Sequence, residues 1–311
     1  VKRSRQVSDR LTRGIAFLMK KNQIDVFMGR ANLTAKDQLQ ITASDGGTQS
    51  LKARHLVIAS GSHPLIPGGW TIDGKRILTY REAILQSELP KSVVIIGAGA
   101  MGVEFATVWN SYGTQVTLVE MLPNILPQED NEVSRELTKV FAQRGIKVHT
   151  ATKVESLNPT ESGVKVVVSG EGGQNTIEAE QALVAIGFRP NTDDLGLENA
   201  GVALNAKGFI EVNEKMATNV PGIWAIGDVT GKLLLAHVAS AQGIVCAQSI
   251  AGQESRILNY QNMPRATYCQ PQVASFGMTE SQAHEAGYEV KISKFPFQAN
   301  GKALGLGESA G

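Results

Sequence analysis

Residues Ser92 to Glu120 constrain this chain more than any other stretch. "SVVIIG" is an apolar run with strand character. "GAGAMG" comes next, with glycines at 97, 99 and 102. "GVEFATVWNSYG" has the texture of a helix ended by Gly113, and "QVTLVE" is a second strand closed by Glu120. G-x-G-x-x-G alone is a weak signal. Between a strand and a helix, with a carboxylate ending the next strand, it is the pattern of a dinucleotide-binding βαβ unit. The first glycine permits the tight turn, the second lets a pyrophosphate approach the backbone, and the third lets helix and strand pack closely. The helix N-terminus then offers free N–H groups to the diphosphate. A carboxylate at Glu120 accepts hydrogen bonds from both ribose hydroxyls and repels a 2′-phosphate. No Arg comes after it in "MLPNILPQ", so the pattern favours NAD over NADP. Glu104 is predicted on the first turn of the helix, where the helix dipole favours a carboxylate.

The remaining chain is of mixed α/β type. Val7, Leu11, Ile15, Leu18 and Met19 stand at helical spacing. "IDVFMGRANL", "LQITAS" and "HLVIASGS" read as strands. "NEVSRELTKVFAQRG" reads as a helix and "IKVHT" as a strand. "VKVVVSG" and "NTIEAEQALVAIG" are β-rich, and "VPGIWAIGDV" is a strand running into a turn. "HVASAQGIVCAQSIAG" and "TESQAHEAG" read as helices. The texture changes near "LPKS", at residues 89 to 92, and again from Met263.

Net charge is +1 with the signs interspersed, which argues against a nucleic-acid partner held by bulk charge. No apolar run approaches the ~18 residues of a membrane span. The start, "VKRSRQVSDRLTRG", is basic but lacks the apolar stretch of a signal peptide, and residue 1 is not expected to be the natural start. The two cysteines, Cys246 and Cys269, form neither a CxxC nor a zinc pattern, and no metal site is expected. They read as buried structural thiols in a reducing compartment.

Three segments end in a strand and a glycine: "LVIASGS", "LVAIGFRPN" and "IWAIGDV". Together with the turn at 97–102 they resemble the flavoprotein pyridine nucleotide-disulfide oxidoreductases. The chain looks most like members that oxidise dihydrolipoamide. "SDRLTRGIAFLMKKNQIDVFMGRANL" resembles the stretch after their redox disulfide, and "MPRATYCQPQVASFGMTESQAHEAGYEV" resembles the start of their dimerisation domain. The resemblance implies an α/β fold, with a Rossmann-like NAD-binding domain inserted in a partial FAD-binding domain and followed by the start of an α+β dimerisation domain. The implied divisions are 1–89 (partial FAD domain), 90–209 (NAD domain), 210–262 (returning central segment) and 263–311 (truncated dimerisation domain).

The resemblance also assigns residues. On the NAD side these are Gly97, Ala98, Gly99, Ala100, Met101, Gly102, Val103, Glu104, Glu120, Val154 and Gly187, with Glu104 near the nicotinamide. On the FAD side they are Ala31, Ser60, Gly61, Ser62, Asp228, Leu234, Leu235, Ala236 and His237. Ser60 replaces a usual Thr. Asp228 matches a ribityl contact, and residues 234–237 match the segment beside the flavin ring. His237 could equally be a helix-cap residue. In the family, electrons pass from dihydrolipoamide to a CxxxxC disulfide, to FAD, to NAD. Implied partners are lipoyl domains of 2-oxo acid dehydrogenase or glycine cleavage complexes and a second copy of the chain, in the cytoplasm or mitochondrial matrix.

Three parts of that plan are missing from the sequence: a first FAD-binding glycine turn, the CxxxxC dithiol and the His-x-x-x-x-Glu pair. No catalytic residue is therefore assigned within the chain. His284, in a polar helix, is expected at the surface. The expectation is a stretch cut at both ends, inactive alone and with an incomplete FAD site. Rival readings are another FAD/NAD(P) disulfide reductase, a soluble transhydrogenase, or a non-catalytic NAD-binding module.

Overall fold

The computed structural model describes every residue from Val1 to Gly311. The chain forms two compact units, each built from two stretches: Val1–His63 with Phe188–Tyr260, and Pro64–Gly187 with Gln261–Gly311. Residue 90 lies inside the second unit and residue 209 inside the first.

The second unit is organised by a five-stranded sheet. Ile77–Leu78, Gln181–Val184, Ser92–Ile96, Gln115–Val119 and Lys147–His149 lie side by side in that order, all parallel. Parallel neighbours need crossovers. The helices Ala100–Ser111 and Asn131–Gln143 provide two of them. An antiparallel meander, Lys153–Pro159, Val164–Gly170 and Gly173–Ala179, leads back to Gln181–Val184.

Side-chain alternation explains the layers. Val93 and Ile95 join a core with Val103, Ala106, Leu118 and Phe141 on the helical side. Val94 and Ile96 join a second core with Leu157, Val166 and Val168 of the meander. A strand covered on both faces must be apolar where it is covered, and Val93, Val94, Ile95 and Ile96 are all apolar and buried. The chain leaves Ser92–Ile96 toward one edge and returns to its other side, so strand order reverses between Ser92–Ile96 and Gln181–Val184. Open α/β sheets take ligands beyond the carboxyl ends of the strands at such a reversal.

In the first unit, Arg30–Ala35, Gln38–Thr42 and Thr48–Lys52 form an antiparallel sheet. Leu56–Ile58 pairs in parallel with Ile223–Ala225. Leu33, Leu56, Leu197, Ile210, Ile223 and Val229 form the core. The helix Lys2–Lys21 contains no buried residue, so its stripe of Val7, Leu11, Ile15 and Leu18 is exposed. No helix is long and apolar enough to cross a membrane.

Local expectations and structure differ at four places. "IDVFMGRANL" is strand only from Arg30, because its partner Gln38–Thr42 ends opposite that residue. "NTIEAEQALVAIG" divides at Glu180 between the meander and the parallel sheet. The strand Lys153–Pro159 has no counterpart among the sequence expectations; its outward residues are polar and hide the pattern. The helix after the glycine turn begins at Ala100, two residues before Gly102, so Glu104 lies beyond its first turn and not on it.

Candidate functional site: two strand-end turns

The first turn comes directly after Ser92–Ile96. Gly97 has φ +101°, and a Cβ there would lie 2.4 Å from the Ala185 carbonyl oxygen. A Cβ on Gly102 would lie 1.9 Å from the Gly97 carbonyl oxygen. Both glycines are demanded by the protein's own packing. Gly99 is different. Its φ is −69°, open to any residue, and a Cβ would meet nothing within 4 Å. Neither conformation nor packing accounts for it. Open space above a backbone is what an approaching diphosphate requires.

Behind Gly99 the helix Ala100–Ser111 has no side-chain cap, so its first amides remain available to an anion. Ala100 is exposed, Met101 half-buried and Val103 fully buried; the first two border the open side and Val103 anchors the helix in the core.

Glu120 stands directly after the neighbouring strand and is buried. Its Oε2 accepts the Ala98 N–H at 2.7 Å and its Oε1 accepts the Leu122 N–H at 2.9 Å. The carboxylate is thus clamped against the glycine turn, with lone pairs left for further donors. The Thr152 N–H donates to the Glu120 carbonyl at 2.9 Å, which brings the strand bearing Val154 beside it. Val154 is half-buried on the meander core. Gly187, with φ +129°, comes soon after Gln181–Val184, and its surroundings would admit a Cβ. Gly97, Gly99, Gly102, Glu120 and Gly187 therefore share the carboxyl edge of one parallel sheet.

Glu104 has one carboxylate oxygen engaged outside the turn. Its Oε1 accepts the Tyr268 N–H at 2.9 Å, tying the helix to the segment Arg265–Ser275. Arg144 Nη1 donates to the Gln270 carbonyl of the same segment at 2.9 Å. Cys269 is buried in the helical-side core. Burial pushes its thiol up to about 11, and the Glu104 charge acts in the same direction. Burial also pushes the Cys246 thiol up. Both are free thiols and buried, as expected from the sequence, and His284 is exposed, also as expected.

The second turn lies in the first unit. Leu56–Ile58 and Ile223–Ala225 are parallel and in register, Leu56 with Ile223 and Ile58 with Ala225. The turns that leave the two strands must therefore emerge at the same end. Ser60–Ser62 leaves one strand and Gly227–Asp228 the other. The Ser62 hydroxyl donates to Asp228 Oδ2 at 2.8 Å, across 166 residues of sequence.

Asn191, which the sequence did not single out, stitches this turn together. It accepts the Ser60 hydroxyl on its carbonyl at 2.7 Å and donates its side-chain amide to the Ser60 carbonyl at 2.8 Å. Its Oδ1 lies 2.7 Å from His63 Nδ1. Only the fold brings Asn191 to residue 60, although "RPN" after a strand marks a turn.

Leu234 and Leu235 are half-buried and Ala236 and His237 exposed at the start of the helix Ala236–Ile250. Leu235 occupies the N-cap position without a side-chain bond, so His237 is not a cap. Ala31 is exposed on the separate three-stranded sheet.

The geometry offers one glycine turn open above its backbone and one pair of strand-end turns joined by side chains. The comparisons with known proteins give the family. Residues 2–243 match the family model of pyridine nucleotide-disulphide oxidoreductases, and residues 263–311 match the dimerisation domain of the same family. The chain belongs to the pyridine nucleotide-disulphide oxidoreductases. It is therefore the sequence of an enzyme, an oxidoreductase. The dihydrolipoyl dehydrogenase of Mycobacterium leprae is 50% identical, with 99% of this chain and 67% of that protein covered. The solved structure of LpdA from Mycobacterium tuberculosis superposes with a TM-score of 0.91 at 28% identity, covering 98% of this chain and 67% of that one. A flavoprotein disulfide reductase from Escherichia coli, RclA, gives a TM-score of 0.83 at 27% identity over 97% of this chain and 70% of that one. The chain thus spans about two thirds of the M. leprae relative and of LpdA.

Proposed function

We propose that this chain is the NAD-binding and partial FAD-binding portion of a dihydrolipoyl dehydrogenase. The observation that carries the reading is the site at Gly97–Glu120. Gly99 is the one glycine of the motif that the protein itself does not need, and Glu120 is buried and fixed against it. In this reading the helix amides at Ala100 and Met101 hold the diphosphate, and Glu120 accepts the adenosine ribose hydroxyls. Val154 and Gly187 line the same edge, and Glu104 stands toward the nicotinamide.

Ser60, Gly61, Ser62 and Asp228 receive FAD, with residues 234–237 beside the ring and Ala31 toward the adenine. The Ser62–Asp228 pair supports this role: Oδ2 is engaged by Ser62, which leaves Oδ1 as the acceptor for a polyol hydroxyl. A flavin held there would supply the two-electron chemistry that links a dithiol to NAD. The chain's own residues orient the two dinucleotides.

Neither buried cysteine can serve as the dithiol. On this reading the dithiol and the general base belong to protein outside residues 1–311, the 311 residues alone do not turn over, and their FAD site is incomplete. The homodimer, the lipoyl-domain partners and a reducing setting, cytoplasm or mitochondrial matrix, belong to the same reading; the dimerisation-domain match supports the homodimer. The test is an assay of dihydrolipoamide-dependent NAD reduction by the natural protein carrying this sequence. Activity with NAD and not with NADP supports the reading; turnover of another disulfide in place of lipoamide replaces it.

A further inference from the structure

A polar side chain with no assigned role sits behind the Asp228 turn. Gln242 is 0% exposed, on the apolar face of Ala236–Ile250 beside Val238, Val245 and Cys246. A buried amide is costly unless both ends are satisfied, and here both are. Its Oε1 accepts the Gly227 N–H at 2.6 Å. Its Nε2 donates to the Tyr260 hydroxyl at 3.0 Å.

Gly227 immediately precedes Asp228 and has φ +75°. Its carbonyl accepts the Thr230 hydroxyl at 2.8 Å. Both backbone groups of Gly227 are thus pinned by side chains, and the direction in which Asp228 leaves the turn is set. An apolar residue at 242 would fill the same core space without holding the amide.

We infer that Gln242, anchored by Tyr260, is a positioning residue that fixes the Gly227 peptide and so aims the Asp228 carboxylate at its polyol ligand. The inference rests on the reading of Asp228 as a flavin contact and goes beyond it, because Gln242 itself touches no ligand.

The test uses the natural protein carrying this sequence, stripped of flavin and titrated with FAD. Gln242→Met removes both hydrogen bonds, and Gln242→Glu keeps the acceptor for Gly227. For Gln242→Met the expected results are faster hydrogen exchange at the Gly227 amide, an FAD Kd about tenfold higher, and an altered visible circular dichroism of the bound flavin at saturation. NADH affinity stays unchanged, and Gln242→Glu restores the FAD Kd to within about threefold. A Gln242→Met protein with wild-type FAD Kd and flavin dichroism overturns the inference.

Should Gln242→Met not fold, Tyr260→Phe removes only the anchor. It should raise the FAD Kd about threefold, and no change there overturns the inference equally. Failure of the parent reading has a separate signature. If Asp228→Ala leaves FAD affinity intact, Asp228 is not a flavin contact. The exchange rate at Gly227 still reports what Gln242 holds.

Discussion

The Glu120 carboxylate and the Ala98 amide are joined at 2.7 Å, so the acid at the end of one strand is part of the glycine turn at the end of its neighbour. The two features that the motif pairs in sequence are one object in space. The bond explains how a buried carboxylate is tolerated. Two backbone amides, from Ala98 and Leu122, replace the water it has lost.

Replacing Glu120 tests its part in nucleotide choice. Glu120→Ala should weaken NADH binding about ten- to a hundredfold, the range for hydrogen bonds to a charged acceptor. NADPH binding, relieved of the repulsion between the carboxylate and its 2′-phosphate, should hold or strengthen, so the preference collapses. Glu120→Gln, which keeps an acceptor for Ala98 and drops the charge, should fall between. Fluorescence titration with both nucleotides measures this. A preserved NADH:NADPH ratio in Glu120→Ala would remove Glu120 from the account.

The glycines of the turn should separate by role. Gly102→Ala puts a Cβ 1.9 Å from the Gly97 carbonyl oxygen and should destabilise the protein by about 3 kcal/mol or more. Gly99→Ala meets no atom within 4 Å and should keep the wild-type melting temperature while binding NADH at least about tenfold more weakly. Calorimetric melting with a parallel NADH titration decides it. A Gly99→Ala protein with normal NADH affinity would mean that nothing approaches that backbone.

How much of the fold and site is legible in the sequence depends on where each determinant lies. The parallel sheet and the glycine turn are legible because a strand buried on both faces is apolar where it is covered and the glycines keep fixed spacing. Ser62 and Asp228 are nominated only by resemblance; their contact depends on the parallel register of Leu56–Ile58 with Ile223–Ala225. Asn191, beyond marking a turn, and Gln242 give no signal of what they hold, because each acts through partners that only the fold brings near. The start of the helix is hard to place because glycine and alanine at 99 and 100 mark no cap. Sequence alone therefore sets Glu104 on a first turn it does not occupy, and its bond to the Tyr268 amide cannot be foreseen.

Cys269 makes a pH prediction. Burial pushes its thiol from the ordinary 9.0 up to about 11. Between those values the folded state holds a proton that the unfolded state has released. The stabilisation from the raised pKa is thus complete below about pH 9 and is lost as pH rises through about 11. Denaturant midpoints should fall over that window more steeply for the wild type than for Cys269→Ala. Near neutral pH the folded protein should resist thiol-specific alkylation at Cys269 until it is unfolded. Rapid native-state labelling there would contradict the buried placement.

If these residues orient a flavin and NAD for electron transfer from a dithiol, the transfer is visible in the flavin absorption. The most direct measurement is the visible spectrum of the natural protein carrying this sequence, taken without oxygen, first with dihydrolipoamide and then with NAD or NADP. Dihydrolipoamide should bleach the flavin band and NAD should restore it, with NADP ineffective. A protein that holds no flavin, or whose reduced flavin is reoxidised by NADP and not by NAD, would contradict this reading.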